Sequence, residues 1–428
     1  MKRLLGNTAM CVMILFFFDS SATAFKLPST GQTSCYDTTG NVFPCSGTGQ
    51  DGEYPINPLA YTNNGDGTVT DNNTGLMWQK CSTGQNNDSS CSGTASTWTW
   101  YQATGTYDAD YNPSSQDVCR SLSLDGYMDW RLPTKKELMS IVDYSGFPTT
   151  IKTAYFPNTI NNWYWSSTAY PYLQGWAWGI SFNTGAGVGY GAGAGSSYYV
   201  RCVRGQQTSQ SLTNNGDGTV TDNKTGLMWQ QGESDKMSWY DALSYCQGRP
   251  LAGQNDWRLP NIKELESLTD DTRYNPSIDN TFFPEAHADY YWSSTTSTII
   301  HSDAFYVVFA NGPGVAYYPK SYNYYARCVR GGQGGSLDNF VRLVREGIPV
   351  DSYAKVQDAY NDASSGDIIE MRGMTMIYIE QLSFAANIAV SLKGGYNYDF
   401  VLNPLVTTVN GALTVSGGSV TVDSLNIQ

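Results

Sequence analysis

Apolar and polar residues alternate along most of this chain, in short runs broken by glycine, asparagine and aspartate. Trp176, Trp178, Ile180 and Phe182 make one such run, and Phe305, Val307 and Phe309 another. A period of two is the mark of strands that bury one face. Helical spacing is confined to short stretches. Leu138, Ile141 and Val142 follow Thr134, and Leu265 and Leu268 follow Asn261. Each of these cap residues has a glutamate three positions on, Glu137 or Glu264, which predicts two short helices opened by capping boxes. Ser238 can cap a third, with Trp239, Ala242, Leu243 and Cys246 on one face.

The whole pattern occurs twice. Asn-Asn-Gly-Asp-Gly-Thr-Val-Thr-Asp stands at 63–71 and 214–222, and Thr-Gly-Leu-Met-Trp-Gln at 74–79 and 225–230. Strand, polar turn and strand predict a hairpin at the start of each copy. Asp129-Trp130-Arg131-Leu132-Pro133 returns as Asp256-Trp257-Arg258-Leu259-Pro260, and Tyr164-Trp165-Ser166-Ser167-Thr168 as Tyr291-Trp292-Ser293-Ser294-Thr295. Arg201-Cys202-Val203-Arg204-Gly205 returns as Arg327-Cys328-Val329-Arg330-Gly331. The first copy carries two insertions of twelve residues, one on each side of Trp100. Hairpin, short helix, capped helix and several strands predict an α+β domain made twice, at 61–205 and 212–331. The polar linker 206–211 should leave the copies as separate beads.

Outside the copies the grammar changes. Residues 1–24 read as a secretory signal peptide, with Lys2 and Arg3, an apolar run centred on Ile14 to Phe18, and Ala22-Thr23-Ala24. No later stretch is apolar enough to span a bilayer, so export without membrane insertion is expected, to the cell surface, the extracellular space or the periplasm. Residues 25–60 are polar and glycine-rich and predict a loosely ordered lead-in. A second linker, 332–350, precedes a segment at 351–428 that begins helix-like and continues as short glycine-punctuated strands.

Export makes eight cysteines legible as disulfides. Cys119 and Cys202 lie 83 apart, Cys246 and Cys328 lie 82 apart, and they occupy matched positions, so each pair should close its own copy. Cys35 with Cys45, and Cys81 with Cys91, are then local loops. Redox or metal-ligand use of these thiols is the other reading.

Charge and the remaining side chains narrow the function. A formal net charge of −13 argues against nucleic acid and polyanions. Both histidines, His287 and His301, fall in the second copy, so a Ser-His pair cannot serve the Ser-Ser-Thr motif in both. Zinc lacks a shared ligand cluster once the cysteines pair. Asn64-Gly65-Asp66-Gly67 and Asn215-Gly216-Asp217-Gly218 resemble part of a calcium loop, but an EF-hand would place an acid at Thr62 and Thr213 and a glutamate at Asn73 and Lys224. Turn formation is the preferred reading. No catalytic residue, metal site or cofactor is therefore expected.

The aromatics carry the binding signal: 12 Trp and 31 Tyr, suited to rigid amphipathic contacts such as stacking on sugar rings. Trp163, Trp165, Trp176 and Trp178 crowd the first copy, and Tyr290, Tyr291, Trp292 and Tyr306 the second. Tyr170, Tyr172, Tyr317 and Tyr318 lie where the copies differ, which is where specificity would sit.

The five repeated motifs together resemble the Lcl C-terminal domain family, the carboxy-terminal domain of a bacterial collagen-like adhesin. The resemblance implies a C-type-lectin-like fold, a disulfide from the first helix (Cys119, Cys246) to a late strand (Cys202, Cys328), and binding of a glycan at a host or matrix surface. The helix start is similar to that of formylglycine-generating enzymes, whose catalytic cysteine pair has no counterpart here. The Glu-Pro-Asn and Gln-Pro-Asp triplets of calcium-dependent lectins are also missing. The segment at 351–428 resembles the cap and first rungs of a right-handed parallel β-helix, through Val356-Gln357-Asp358-Ala359-Tyr360 and Leu392-Lys393-Gly394-Gly395-Tyr396. It runs for only about 75 residues, fewer than the several stacked rungs a solenoid needs, which suggests a fragment or strands leaning on the rest. The expectation is a non-enzymatic protein that binds a glycan or a surface protein. A polysaccharide-acting enzyme of the β-helix type and a purely structural surface component are the alternatives.

Overall fold

The computed structural model describes residues 25–427 except 55, 185–191, 206–208, 255, 311–313, 332–340, 354, 373–376, 380 and 397–405. The signal-peptide stretch and parts of both expected linkers lie outside the described residues.

Each copy opens with the expected hairpin, extended to a three-strand meander. Tyr61–Asn63, Thr68–Asp71 and Met77–Gln79 pair antiparallel, as do Leu212–Asn214, Thr219–Asp222 and Leu227–Gln230. The fourth strand comes from the far end of the same copy: Val203–Arg204 lies beside Met77–Gln79, and Val329–Gly331 beside Leu227–Gln230. First and last motifs are thus neighbours, and they close the copy on itself. In the turn, Asp66 Oδ1 accepts from Thr68 N (2.8 Å) and Oγ1 (2.6 Å), and Asp217 does the same for Thr219.

Among the described residues, four helices serve the copies: α1 (Trp100–Thr104), α2 (Lys135–Ser140), α3 (Trp239–Gln247) and α4 (Ile262–Ser267). Thr134 and Asn261 make the expected capping boxes with Glu137 and Glu264. The same glutamates take the motif arginines. Arg131 forks onto Glu137 at 2.7 and 2.6 Å, and Arg258 onto Glu264 at 2.6 Å on both prongs. Asp129 and Asp256 pair instead with Arg204 (2.7 Å) and Arg330 (2.6 Å) of the last motif. Trp130 and Trp257 between them are buried. The Asp-Trp-Arg motif therefore ties a helix start to the closing strand.

A second sheet in each copy carries the alternating runs. Trp163–Ala169 and Trp176–Ser181 pair antiparallel, with Ser197–Tyr199, Thr97–Thr99 and Ala192–Gly193 joining them. The counterpart is Tyr290–Thr296, Asp303–Val308 and Gly314–Pro319. Among the described residues, four small sheets, two per copy, thus dominate, and the α+β, C-type-lectin-like expectation is corrected to a mostly β architecture. The capped helices start as expected but run only five to nine residues, because just one or two apolar turns follow each cap.

The four expected disulfides are present: Cys35–Cys45, Cys81–Cys91, Cys119–Cys202 and Cys246–Cys328. Cys246 lies on α3, whereas Cys119 stands in a turn that follows a first-copy insertion. No helix among the described residues is long and apolar enough to cross a membrane.

The copies are not beads. One hydrophobic core runs through both, joining Leu138, Ile141 and Val142 to Leu265 and Leu268, with Tyr144 packed edge-on against Phe305 (5.1 Å). At its centre α2 and α4 face each other and exchange lysines. Lys136 Nζ donates to Ser267 O (3.0 Å), and its counterpart Lys263 donates to Ser140 O (2.8 Å). Lys135, fully buried, pairs with Glu266 (2.5 Å) and Asp271 of the second copy.

The lead-in is also packed rather than loose. Residues 29–32 and 50–51 are almost wholly buried except Gly31, which is partly so. Thr30 O accepts from Tyr144 N (2.7 Å), and Gln32 Nε2 donates to Thr296 O (2.5 Å). The Asp51 carboxylate accepts from Thr30 Oγ1 (2.7 Å) and Thr295 Oγ1 (2.6 Å), and burial pushes its pKa up to about 6.

The tail builds a core of its own from Val341, Leu343, Ile369, Leu392, Phe384 and others, with Tyr360 of helix α5 (Val356–Asn361) stacked on Phe384 at 3.8 Å. Ile368–Arg372, Ala389–Tyr396 and Ser419–Asp423 run parallel. Val341–Arg345, however, is antiparallel to both Ile348–Tyr353 and Ile368–Arg372. The expected β-helix start is corrected to a mixed β module.

Lys135→Ala leaves Glu266 and Asp271 without their buried cation, so urea denaturation should show a loss of about 3–5 kcal/mol. Burial lowers the pKa of Lys263 from 10.5 to about 7. An uncharged amine has two N–H groups, and Ser29 O (2.9 Å) and Ser140 O use both. Unfolding then takes up a proton between pH 7 and 10.5, so stability should rise with pH there by up to about 1.4 kcal/mol per unit. Lys263→Met should remove that component of the slope.

Candidate functional site

The aromatic-rich sheet of the second copy has two unlike faces, as a two-residue period requires. Tyr291, Phe305 and Val307 point into the shared core. The other face carries Tyr290, Trp292, Tyr306 and Tyr318, since Trp292 sits opposite Tyr306 and Ala304 opposite Tyr318. The segment after the last strand lays Tyr322 and Tyr324 over this face. Tyr324 stacks on Tyr290 (5.1 Å) and meets Tyr306 (5.1 Å) and Trp292 (4.5 Å), while Tyr322 packs edge-on against Tyr318 (4.5 Å).

The result is a continuous patch of five tyrosines above a buried tryptophan. Tyr290, Tyr318 and Tyr322 are 40, 41 and 48% exposed. Burial holds the Tyr324 hydroxyl well above the usual phenol range, and a hydrogen bond with Tyr322 raises that of Tyr318. Both stay protonated near neutral pH. The patch thus offers flat apolar rings edged by hydroxyl donors, the combination that suits a sugar face and its hydroxyls.

The first copy has a thinner version. Tyr198 stands for Tyr324, stacked on Trp163 (6.0 Å) and lying against Trp165 (4.3 Å). Gly179, opposite Trp165, takes the place of Tyr306, and a Cβ there would come within 3.4 Å of the Tyr198 ring. Ala192, paired with Ala177 as Tyr318 is with Ala304, and Ser196, placed as Tyr322 is, lack a ring too, so three of the five are missing.

Of the seven aromatics singled out from sequence, Trp163 is half-buried and Trp176 and Tyr290 are exposed. Trp165, Trp178, Tyr291 and Trp292 are buried in the cores, and their contribution is to packing. Among the residues marked for specificity, Tyr172 and Tyr318 are exposed, Tyr317 is partly buried and Tyr170 is buried. Tyr322, Tyr324 and Tyr198 were not anticipated. The signal for Tyr198 and Tyr324 is a Tyr-Tyr pair that stands one residue before Arg-Cys-Val-Arg-Gly in both copies, at 198–199 and 324–325.

The polar motifs have structural partners. Ser166 Oγ donates to Trp178 O (2.9 Å) and Ser293 Oγ to Phe305 O (2.8 Å), while Thr168 and Thr295 accept from the first amides of α2 and α4. The His287 ring faces Glu233 and stacks on Tyr325, and His301 stacks on Tyr36 of the lead-in.

Comparison with curated proteins finds no match for this chain. The Lcl C-terminal domain matches at residues 67–204 and again at 218–330, over half the chain. The two copies that share one core are two domains of one kind, and the chain belongs to the Lcl C-terminal domain family.

Proposed function

We propose that this is an exported, surface-associated binding protein of adhesin type, which recognises a glycan without turning it over. Membership of the family supports a surface or adhesin-like role. Four disulfides fit an oxidising compartment. The observation that carries the ligand class is the tyrosine face of the second copy, where Tyr290, Tyr318 and Tyr322 expose ring area that the core does not use. The first copy, lacking a ring at Gly179, is the weaker partner.

A glycan array probed with the whole protein should give hits, and Tyr290→Ala and Tyr322→Ala should each weaken them about tenfold, the equivalent of about 1.4 kcal/mol per ring, with thermal unfolding unchanged. An array without hits, hits indifferent to both substitutions, or cleavage of the bound glycan would each overturn the proposal.

A further inference from the structure

The buried charges where α2 meets the second copy are one-sided. Lys135 opens α2, and its Nζ touches Glu266 Oε1 (2.5 Å) and Asp271 Oδ1 of the other copy. The lysine and glutamate side chains are 0 and 2% exposed, and that of Asp271 is 17% exposed. The indole of Trp178 lies 5.2 Å from the amine and walls it off on one side. Aligned through the two capped helices, Ile262 stands for Lys135, Met139 for Glu266 and Tyr144 for Asp271. All three counterparts are buried in the shared core. The same frame thus packs without any charge on its other side. Apolar side chains often replace buried ions at no loss of stability, so packing alone does not account for a triad that differs at all three positions together.

The triad sets an amine against one carboxylate and beside a second that can carry a proton. Burial by itself would lower the pKa of Lys135, but the two carboxylates outweigh it and raise it, so the amine rests as an ammonium. Burial raises the pKa of Glu266 against the pull of Lys135. Glu266 Oε2 is buried with no hydrogen-bond partner among the described residues, which leaves it open to a proton. A lysine amine becomes a nucleophile once it is deprotonated out of contact with water.

We infer that this triad closes an isopeptide bond between the two copies, joining Lys135 Nζ to the side-chain carbonyl of Asp271, with Glu266 as the proton relay. Glu266 takes one proton from the ammonium and hands it to Asp271, so that a free amine faces a neutral carboxyl group. The amine attacks Asp271 Cγ. Glu266 then carries a second proton from the nitrogen to the same carboxyl oxygen, which departs as water. A C–N bond forms as a C–O bond breaks, ammonium and carboxylate become amide and water, and Glu266 ends as it began. No other reactant is needed. Groups held in contact by a fold react with effective molarities of roughly 10⁵–10⁸ M, which favours this condensation over its course in free solution. Asp271 also lines an open cleft of about 950 Å³, through which the water can leave.

The mass of the whole protein, measured after reduction and denaturation, tests this. The chain should be lighter by one water than its sequence read from the N-terminus it carries. Its tryptic digest should contain the Lys135 and Asp271 peptides joined by an amide, without cleavage after Lys135. Lys135→Arg and Glu266→Gln should each restore the full mass, whereas Asp271→Asn should cross-link with loss of ammonia in place of water. A wild-type chain of full mass whose Lys135 amine acetylates once denatured, or a lost water traced to an imide at an aspartate, overturns the inference. Cross-linking as complete in Glu266→Gln as in the wild type overturns the relay.

Discussion

The structure depends on the face-to-face contact of α2 and α4. Each helix ends in carbonyls that need donors, and each begins with a lysine that can reach across, so Lys136 serves Ser267 and Lys263 serves Ser140. Lys135 adds a charge that only the second copy neutralises. Removing any of these from water is tolerable because each finds a carbonyl or carboxylate partner across the contact. The contact is self-complementary in the way a symmetric dimer interface is, here written within one chain.

From that centre outward, each repeated motif answers another. Glu137 and Glu264 close a cap and hold an arginine at once. Asp129 and Asp256 hold the arginine of the closing strand, and the long disulfides fasten the residue just before that strand. A single substitution in one motif is therefore felt in two elements. The tyrosine face gains rigidity from the same arrangement, since Trp292 beneath it donates its indole N–H to Met237 O at 3.1 Å.

Much of this was legible in the sequence because it is local or repeated. Caps are read within four residues, hairpins within ten, and the disulfides follow from matched positions. The class was misread because the caps announce where helices begin and say nothing of how soon they stop. The bead-like separation was misread for a different reason. Lys135, Lys136 and Lys263 look like solvated helix residues until the partner helix is in place, and pairing between copies leaves no periodic trace. The lead-in's glycines suggested looseness, whereas Gly31 is there for close approach. The aromatic alternation marked the right sheet but could not tell its two faces apart, so the core rings and the surface rings were drawn together.

The strap formed by the lead-in has a consequence in time. Gln32 binds Thr296, 264 positions away, and Asp51 binds Thr295, 244 away. Contacts so distant along the chain form only after the intervening polypeptide has collapsed. A stretch synthesised early is thus among the last to find its seat. Until then Lys263, Thr295 and Thr296 stand without the partners that the lead-in brings them.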